Sequence, residues 1–360
     1  MKRRSVLHAL GGMAALMFPW RWVSARRPPT FYAPGQAPNG DYLIAAATGM
    51  APPNRLFSVS ERAHAVVLYA QRGFGVAIAR RPGTTLIGFN PISGKKLVET
   101  HCPPGRHFYG HGCLDPRGRR LYCTENDYET GRGVIGVYDT HELRRIGEFP
   151  SFGIGPHELL FTADGQTLVV ANGGVMTHPD SGRVPLNLPD MRSEIVYIDA
   201  ESGRLVERAR LDSRYQFASM RHLALNGEQL VVANQSRGVI TDEVPLIALH
   251  KRGERLRPVP VPASIRPRLR QYTGSVSWDR SGSMFAVSAP KANGVLVYSA
   301  AGDFRAFVAL DDACGVGAAP NGSEFLFSGG SGGRIRFRIG TPPRTSTYSS
   351  VRWDNHLAVG

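Results

Sequence analysis

A repeated β-hairpin constrains the fold of this chain more than any other sequence feature. The clearest copy covers residues 155–172, in which two apolar segments flank the turn Asp164-Gly165. Asp-Gly between apolar runs is one of the strongest short-range signals for a β-hairpin. Variants of this unit recur along most of the chain, so the sequence predicts an all-β repeat protein. A histidine stands at the start of four copies: His64, His111, His157 and His222.

The spacing of the copies favours a β-propeller. Six units follow one another at intervals of roughly 40–60 residues, and each predicts about four short strands. Residues 350–354 repeat the pattern of residues 275–279, which begin the fifth unit, so the chain ends inside a seventh unit. A strand left over at residues 42–47 can complete that unit. We therefore predict a seven-bladed β-propeller over residues 41–360, with its ring closed by N- and C-terminal strands.

Composition agrees with a turn-rich globular protein. The 360 residues include 41 Gly and 26 Pro, and 42% are hydrophobic, which excludes a disordered or collagen-like chain. A β-sandwich and a two-domain all-β protein are the alternatives to the propeller. Sandwiches do not repeat an Asp-Gly hairpin at this period, so the propeller is the preferred interpretation.

The first 25 residues have the features of a twin-arginine signal peptide. Arg3 and Arg4 begin a basic segment, a moderately apolar run follows, and Val23-Ser24-Ala25 offers a small-residue cleavage site. The apolar run is too short for a membrane-spanning helix, so we expect no membrane span after cleavage. These features predict a periplasmic protein with a linker over residues 26–40. The alternative is a basic N-terminus on a cytosolic protein.

Charge and cysteine content narrow the functional classes. The formal net charge of +14 attracts anionic surfaces. Basic residues do not alternate with aromatic ones, so nucleic acid is not an expected partner. The four cysteines form no Cys-x-x-Cys-His motif, which excludes c-type haem attachment. Cys113 and Cys123 flank one turn and either form a disulfide or pack as small apolar residues.

Hairpin connectivity predicts where the chemistry lies. Residues before the first strand of a unit and residues after its second strand lie at the same rim of the central channel. The insertion at residues 175–192 leaves the third unit from this rim and can cover the channel mouth. The candidate ligand-binding residues at the rim are His64, His111, His157, His222, Glu125, Asp127, Asn172, His178, Arg221 and Asn234.

Histidine is the commonest ligand of transition metals in proteins. We therefore expect His111, His157 and His222 to hold a transition metal, either Fe or Cu. The competing interpretation is structural, because a histidine at this position of a propeller can hydrogen-bond a neighbouring strand. The later units offer Ser275, Gly315 and Ser350 at the corresponding positions, which predicts a lopsided ring of histidines.

Several motifs of this chain are long and specific. They include Gly110-His111-Gly112, Ala171-Asn172-Gly173-Gly174 and Thr177-His178-Pro179-Asp180. With these motifs the chain resembles the bacterial exported family catalogued as domain of unknown function 1513. The resemblance implies a YVTN/WD40-like propeller exported by the twin-arginine route. It also implies a role in periplasmic iron handling with an imelysin-like or di-haem oxidoreductase-like partner, and it supplies no catalytic residues.

The sequence is compatible with three functional hypotheses. The first is a periplasmic propeller that binds a ligand, metal or protein partner at its histidine-lined face, accessory to iron or metal uptake. The second is an enzyme similar to propeller lactonases or lyases, which would use metal or histidine acid–base chemistry. The third is a scaffold in which the histidines are structural.

Overall fold

The protein is an all-β ring of seven blades, as the sequence predicted. The computed structural model describes residues 30–69, 72–238, 243–320 and 322–360. Strands in these ranges form seven antiparallel sheets. The innermost strands of neighbouring blades contact one another in a closed circuit, so the sheets surround a central channel.

Each blade is a four-stranded sheet, and blade 7 has one additional short strand. The chain begins in blade 7 with β1 (Phe31–Gln36), β2 (Tyr42–Ala47) and β3 (Asn54–Ser58). Blade 1 follows with β4 (Ala63–Tyr69), β5 (Phe74–Ala79), β6 (Thr85–Phe89) and β7 (Lys96–His101). Blade 2 contains β8 (Arg106–Leu114), β9 (Arg120–Asp127), β10 (Arg132–Asp139) and β11 (Arg145–Pro150). Blade 3 contains β12 (Pro156–Phe161), β13 (Thr167–Asn172), β14 (Glu194–Asp199) and β15 (Leu205–Ala209).

The second half of the chain continues the ring. Blade 4 contains β16 (Ala218–Asn226), β17 (Gln229–Ser236), β18 (Ile247–His250) and β19 (Arg257–Pro258). Blade 5 contains β20 (Val276–Trp278), β21 (Met284–Ala289), β22 (Gly294–Ser299) and β23 (Phe304–Ala309). Blade 6 contains β24 (Ala313–Ala318), β25 (Phe325–Gly329), β26 (Gly333–Phe337) and β27 (Arg344–Thr347). The chain ends in blade 7 with β28 (Arg352–Trp353) and β29 (Ala358–Val359). Short 3-10 helices occupy Pro179–Ser181, Leu188–Asp190, Ser213–Tyr215, Arg266–Leu269 and Pro290–Ala292.

The two ends of the chain close the ring together, which confirms the predicted closure. The C-terminal strands β28 and β29 pair with β1, with Trp353 opposite Gly35 and Val359 opposite Phe31. The N-terminus therefore supplies the three outer strands of blade 7, and the C-terminus supplies the innermost position. Closure therefore joins both ends of the chain by hydrogen bonds within one sheet.

One boundary differs from the sequence prediction. Residues 26–40 were expected to be a linker, but β1 lies within them. The proline content of this stretch concealed the strand, because proline cannot donate a ladder hydrogen bond. Pro34 takes part in the sheet through its carbonyl, which accepts a hydrogen bond from the backbone N–H of Asp354 at 2.9 Å. The seventh blade thus takes three N-terminal strands, where the sequence predicted one.

Apolar side chains pack between neighbouring blades, and this packing shows whether Cys113 and Cys123 can form a disulfide. Cys123 packs with Val76 and Phe108 between blades 1 and 2. Cys113 packs with residues such as Leu159 between blades 2 and 3. The two side chains lie on opposite faces of one sheet, so they cannot form a disulfide. All four cysteine thiols of the chain are free.

The export signal predicted at residues 1–25 lies outside the described residues. Within the described ranges, none of the helices has the length and apolar character needed to cross a membrane.

Candidate metal centre

Four innermost strands carry a β-bulge at or beside their histidine. In β4, His64 is the additional residue between the pairs formed by Ala63 and Ala65. In β8 and β12 the register shifts across residues 109–111 and 157–158, and in β16 it shifts beside His222. A bulge changes the direction of side chains where it interrupts the ladder. The histidines were expected at the rim before each first strand, but these bulges place them inside the strands that line the channel.

Five histidine rings meet in the channel. The ring of His111 contacts all four others, at centroid distances of 4.8 Å to His64, 4.8 Å to His157, 5.4 Å to His222 and 4.5 Å to His356. Those four form a closed circuit with neighbouring centroids 4.7–5.7 Å apart. The cluster therefore resembles a square pyramid with His111 at its apex.

His356 is the member that sequence reasoning missed. It lies between β28 and β29, where the innermost strand of blade 7 is interrupted. The seventh unit was expected to offer Ser350 at the equivalent position. The sequence did contain a signal for His356. This residue follows Ser350 by six positions, within the unit that was predicted to supply an innermost strand. The histidines thus come from five consecutive blades: 7, 1, 2, 3 and 4.

Burial keeps all five imidazoles neutral. It lowers the pKa of His222 and of His356 to about 3. It is also the main cause that lowers the pKa of His64, His111 and His157 well below the usual value, and the neighbouring histidines and arginines act in the same direction. A neutral imidazole has a lone pair available for a metal ion, so no proton has to be removed first.

Several buried ring nitrogens of the cluster have no hydrogen-bond partner among the described residues. They are Nδ1 and Nε2 of His64, Nε2 of His111, Nδ1 of His157 and Nε2 of His356. A buried polar atom without a partner is unfavourable and rare in a native structure. These atoms therefore mark a place where a ligand is expected.

Two carboxylates lie beside the rings. The Glu158 carboxylate lies 3.3 Å from Nδ1 of His222 and 3.7 Å from Nδ1 of His111, and it accepts the backbone N–H of Leu223 at 2.9 Å. The Asp354 carboxylate lies 3.6 Å from Nδ1 of His64. A carboxylate beside one ring nitrogen favours the tautomer in which the other nitrogen can bind a metal. Burial raises the pKa of Glu158 to about 7.

The dimensions of the cluster fit a transition metal. Two imidazoles that bind one ion at 2.0–2.1 Å have ring centroids about 4.5–5.2 Å apart for bond angles between 90° and 109°. The distances from His111 to its four neighbours span nearly this range. Two groups of three share His111: the first also contains His64 and His356, and the second contains His157 and His222. Within each group the potential ligand atoms lie within 4.8 Å of one another.

The structure places the other predicted site residues in hydrogen bonds and ion pairs of their own. Glu125 accepts from the Tyr138 hydroxyl at 2.7 Å and from Arg145 at 2.8 Å inside blade 2. Asp127 accepts the backbone N–H of Thr130 at the end of β9.

Two predicted amides and one histidine also have separate structural roles. The Asn172 amide donates to the Ser151 carbonyl, and the Asn234 amide donates to the Pro245 carbonyl. His178 begins a 3-10 helix, where its Nδ1 accepts the N–H of Asp180. Sequence periodicity did not reveal the roles of the two asparagines, because each depends on the face of the sheet to which the side chain points.

The insertion from blade 3 crosses toward the neighbouring blades. The Thr177 hydroxyl accepts a hydrogen bond from Arg81 of blade 1 at 3.3 Å. The Thr177 carbonyl accepts one from the side chain of Asn126 of blade 2 at 3.1 Å. These contacts place the insertion over the ends of three adjacent blades. Arg221 precedes His222 and is buried beside this region.

A sequence profile of the family described as "Protein of unknown function (DUF1513)" matches residues 57–360. The chain belongs to this family. All five histidines of the cluster lie within the segment that matches the DUF1513 profile. No curated protein matches the chain in sequence.

Solved structures support the fold of this DUF1513 chain. It is similar to hydrazine synthase from Kuenenia stuttgartiensis, with a TM-score of 0.59 and 13% identity over 94% of this chain and 100% of that one. It is also similar to the Cps50 (Swd1) β-propeller domain from Myceliophteria thermophila. That TM-score is 0.59, with 14% identity over 89% of this chain and 93% of the other. Identities this low show a shared fold and carry no information about function.

Proposed function

We propose that this protein is a periplasmic metal-binding propeller, which holds one transition-metal ion among its five channel histidines and is accessory to metal uptake. One observation carries the proposal. Neutral imidazoles from five blades converge in the channel, and buried ring nitrogens of four of them lack any hydrogen-bond partner in the described structure. A metal ion would supply the missing partner for several of these nitrogens at once.

Structural histidines elsewhere in the chain have different surroundings. His250 lies 2.8 Å from the Tyr197 hydroxyl and 3.0 Å from the Glu254 carbonyl. His107 lies 3.0 Å from the Phe108 carbonyl and 3.1 Å from the Asn126 amide. Both rings are satisfied by the protein itself. The contrast with the channel cluster argues against a purely structural role for the five histidines.

The chemistry of the donors narrows the choice of metal. Imidazole nitrogen suits Cu, Zn, Ni and Fe, whereas Mg and Ca require oxygen ligands. Affinity for such a site generally rises toward Cu(II), and Cu(II) also favours tetragonal geometries. We therefore expect the highest affinity for Cu(II), and Fe(II) is the second metal to test.

The proposed location and partner rest on the sequence. The paired arginines and cleavage site support export by the twin-arginine route. The family resemblance supports a link to iron handling with an imelysin-like or di-haem oxidoreductase-like protein. Both statements are part of the proposal, and fractionation of the producing cells tests the first of them.

The decisive experiment is a metal-binding measurement on untagged protein. The protein is treated with chelator and titrated with Cu(II), Zn(II) or Fe(II), with Fe(II) handled anaerobically, and bound metal is measured after desalting. We expect one ion per chain for at least one of these metals. The double variant His111→Ala/His157→Ala should weaken binding by at least about 100-fold, since the loss of even an orienting partner typically costs 10–100-fold.

The control is His101→Ala, because His101 is exposed on the outer strand β7 and its Nδ1 lies 3.2 Å from the Thr84 hydroxyl, away from the cluster. This variant should bind like the unaltered protein. Absence of stoichiometric binding for all three metals would contradict the proposal and favour the scaffold hypothesis. An equal loss of affinity in the His101 variant would also contradict it.

A further inference from the structure

A second group of charged residues lies beside the histidines and is made of arginines. Arg80 and Arg81 follow β5, and Arg237 follows β17, so each comes directly after the second strand of its blade. Arg221 lies in the bulge of β16, and Arg183 is in the insertion from blade 3. Together these five arginines come from blades 1 and 4 and from the insertion between them.

Short contacts connect these elements at one end of the channel. Arg81 donates to Thr177 of the insertion at 3.3 Å. Two residues before Arg221, Ser219 donates to the Gly173 carbonyl at 2.7 Å. A Cβ atom built on Gly173 would lie only 3.1 Å from Nε of Arg221. The start of the insertion, the bulge of blade 4 and the end of β5 therefore share one rim.

Arg221 is the clearest sign of a binding site in this group. Its side chain is 4% exposed, and its Nε and Nη2 atoms have no hydrogen-bond partner in the described ranges. The Nε atom of Arg237 is also buried and has no hydrogen-bond partner among the residues that the structure describes. A buried guanidinium with unpaired N–H groups is strongly unfavourable unless an acceptor is present.

The protein supplies few counter-charges here. Within the described part of the chain, carboxylates form no ion pair with Arg81, Arg183, Arg221 or Arg237; Arg80 alone approaches Asp354, at 3.9 Å. Burial, followed by the charges of Arg237 and Arg81, lowers the pKa of Arg221 to about 9. Such mutual repulsion is relieved by an anion that the arginines share.

We propose that this arginine group binds a small oxyanion of the phosphate or carboxylate class at the mouth of the histidine channel. The planar guanidinium matches the paired oxygens of both anions and binds them through two parallel hydrogen bonds. The site lies next to the histidine cluster, since Arg221 directly precedes His222 in β16. The inference does not depend on a metal, because the unpaired guanidinium groups exist without one.

The test uses metal-free full-length protein and two probes, inorganic phosphate and citrate, at constant ionic strength. Isothermal titration and thermal unfolding measure binding. We expect saturable binding of at least one probe and a rise in Tm at saturation. Arg221→Gln/Arg237→Gln should lower the affinity at least tenfold. Tighter binding of phosphate would show that the ligand is a phosphate, and tighter binding of citrate would show that it is a carboxylate.

Two controls keep the outcome interpretable. Arg305→Gln removes an exposed arginine that pairs with Asp303 on blade 5, and it should leave anion binding unchanged. His111→Ala/His157→Ala should lose metal but keep the anion, which separates this proposal from the metal proposal. If the double arginine variant does not fold, the half-buried Arg237→Gln alone should still lower the affinity. Absence of saturable binding, or an equal loss in Arg305→Gln, would overturn the inference.

Discussion

The ring centroids of His111 and His356 lie 4.5 Å apart, although His111 belongs to blade 2 and His356 lies between the last two strands of the chain. This contact joins the closure of the ring to the candidate metal centre. The segment that completes blade 7 also supplies one of five imidazoles. Metal binding and ring closure are therefore expected to support each other.

The first prediction concerns His356. The change His356→Ala removes one imidazole of the circuit and should lower metal affinity at least tenfold, while the fold is retained. Competition with a chelator of known affinity measures the change. Asn355→Ala is the matched control, because Asn355 is the adjacent residue and its side chain is not part of the cluster. Equal affinities of the two variants would show that His356 does not bind the metal.

The second prediction concerns Glu158, which lies beside Nδ1 of both His222 and His111. Glu158→Gln keeps the size of the side chain but removes the carboxylate that lies beside these rings. We expect metal affinity to fall by about 10–100-fold, as is typical when such a partner is lost. Glu201→Gln, at an exposed turn of blade 3, serves as the control. Unchanged affinity in Glu158→Gln would mean that the carboxylate does not orient the ligands.

The third prediction concerns acid stability of the metal-free protein. Burial lowers the pKa of His222 and of His356 to about 3, whereas an unfolded histidine titrates near 6.5. Between these values the unfolded state binds more protons, so stability is lost as the pH falls from about 6.5 toward 3. At pH 5 the loss is about 2 kcal/mol for each such histidine. Glu158 acts in the opposite direction, because its raised pKa favours the protonated folded state between about 4.5 and 7.

Urea unfolding at pH 7 and at pH 5 measures this effect. The difference between the two free energies of unfolding should shrink by several kcal/mol in His222→Gln/His356→Gln. Saturating metal should protect the unaltered protein at pH 5, since the ion binds only the folded state. A pH dependence that is the same in the double variant would contradict the burial of neutral histidines.

The fourth prediction concerns Gly110, which precedes the apex histidine. Its φ of +108° is a conformation that favours glycine, and an added Cβ would lie 2.5 Å from Cβ of His64. Gly110→Ala should therefore displace His64, lower stability by about 1–3 kcal/mol and weaken metal binding. Gly40→Ala is matched in backbone conformation, with φ of +93°, but its Cβ meets nothing within 4 Å. Only the Gly110 variant should lose metal affinity.

The fold was predictable because its determinants are local. An Asp-Gly turn such as Asp164-Gly165 specifies its own hairpin, and repetition of the hairpin specifies the propeller. The same connectivity predicted that the four histidines at the hairpin entries would lie near one another. The strand β1 was missed because proline is typical of loops. The residue that hydrogen-bonds to the Pro34 carbonyl, Asp354, is also remote in sequence.

The details of the centre depended on non-local features. The bulges that redirect His64 and His111 leave no simple pattern in the sequence, because a register shift is visible only when both strands are paired. Glu125 was selected as the nearby carboxylate, whereas the structure puts Glu158 beside the rings. Glu125 is not beside the rings, because its side chain points to Tyr138 and Arg145. His356 required knowledge of how the last segment enters blade 7.

The central claim is that the five channel histidines bind one metal ion. Anomalous diffraction from crystals of the metal-loaded protein, measured at the absorption edge of the bound metal, tests it most directly. We expect a single strong peak inside the channel, about 2.0–2.2 Å from ring nitrogens of His111 and at least two other cluster histidines. A channel without such a peak, or metal found only on the protein surface, would contradict it.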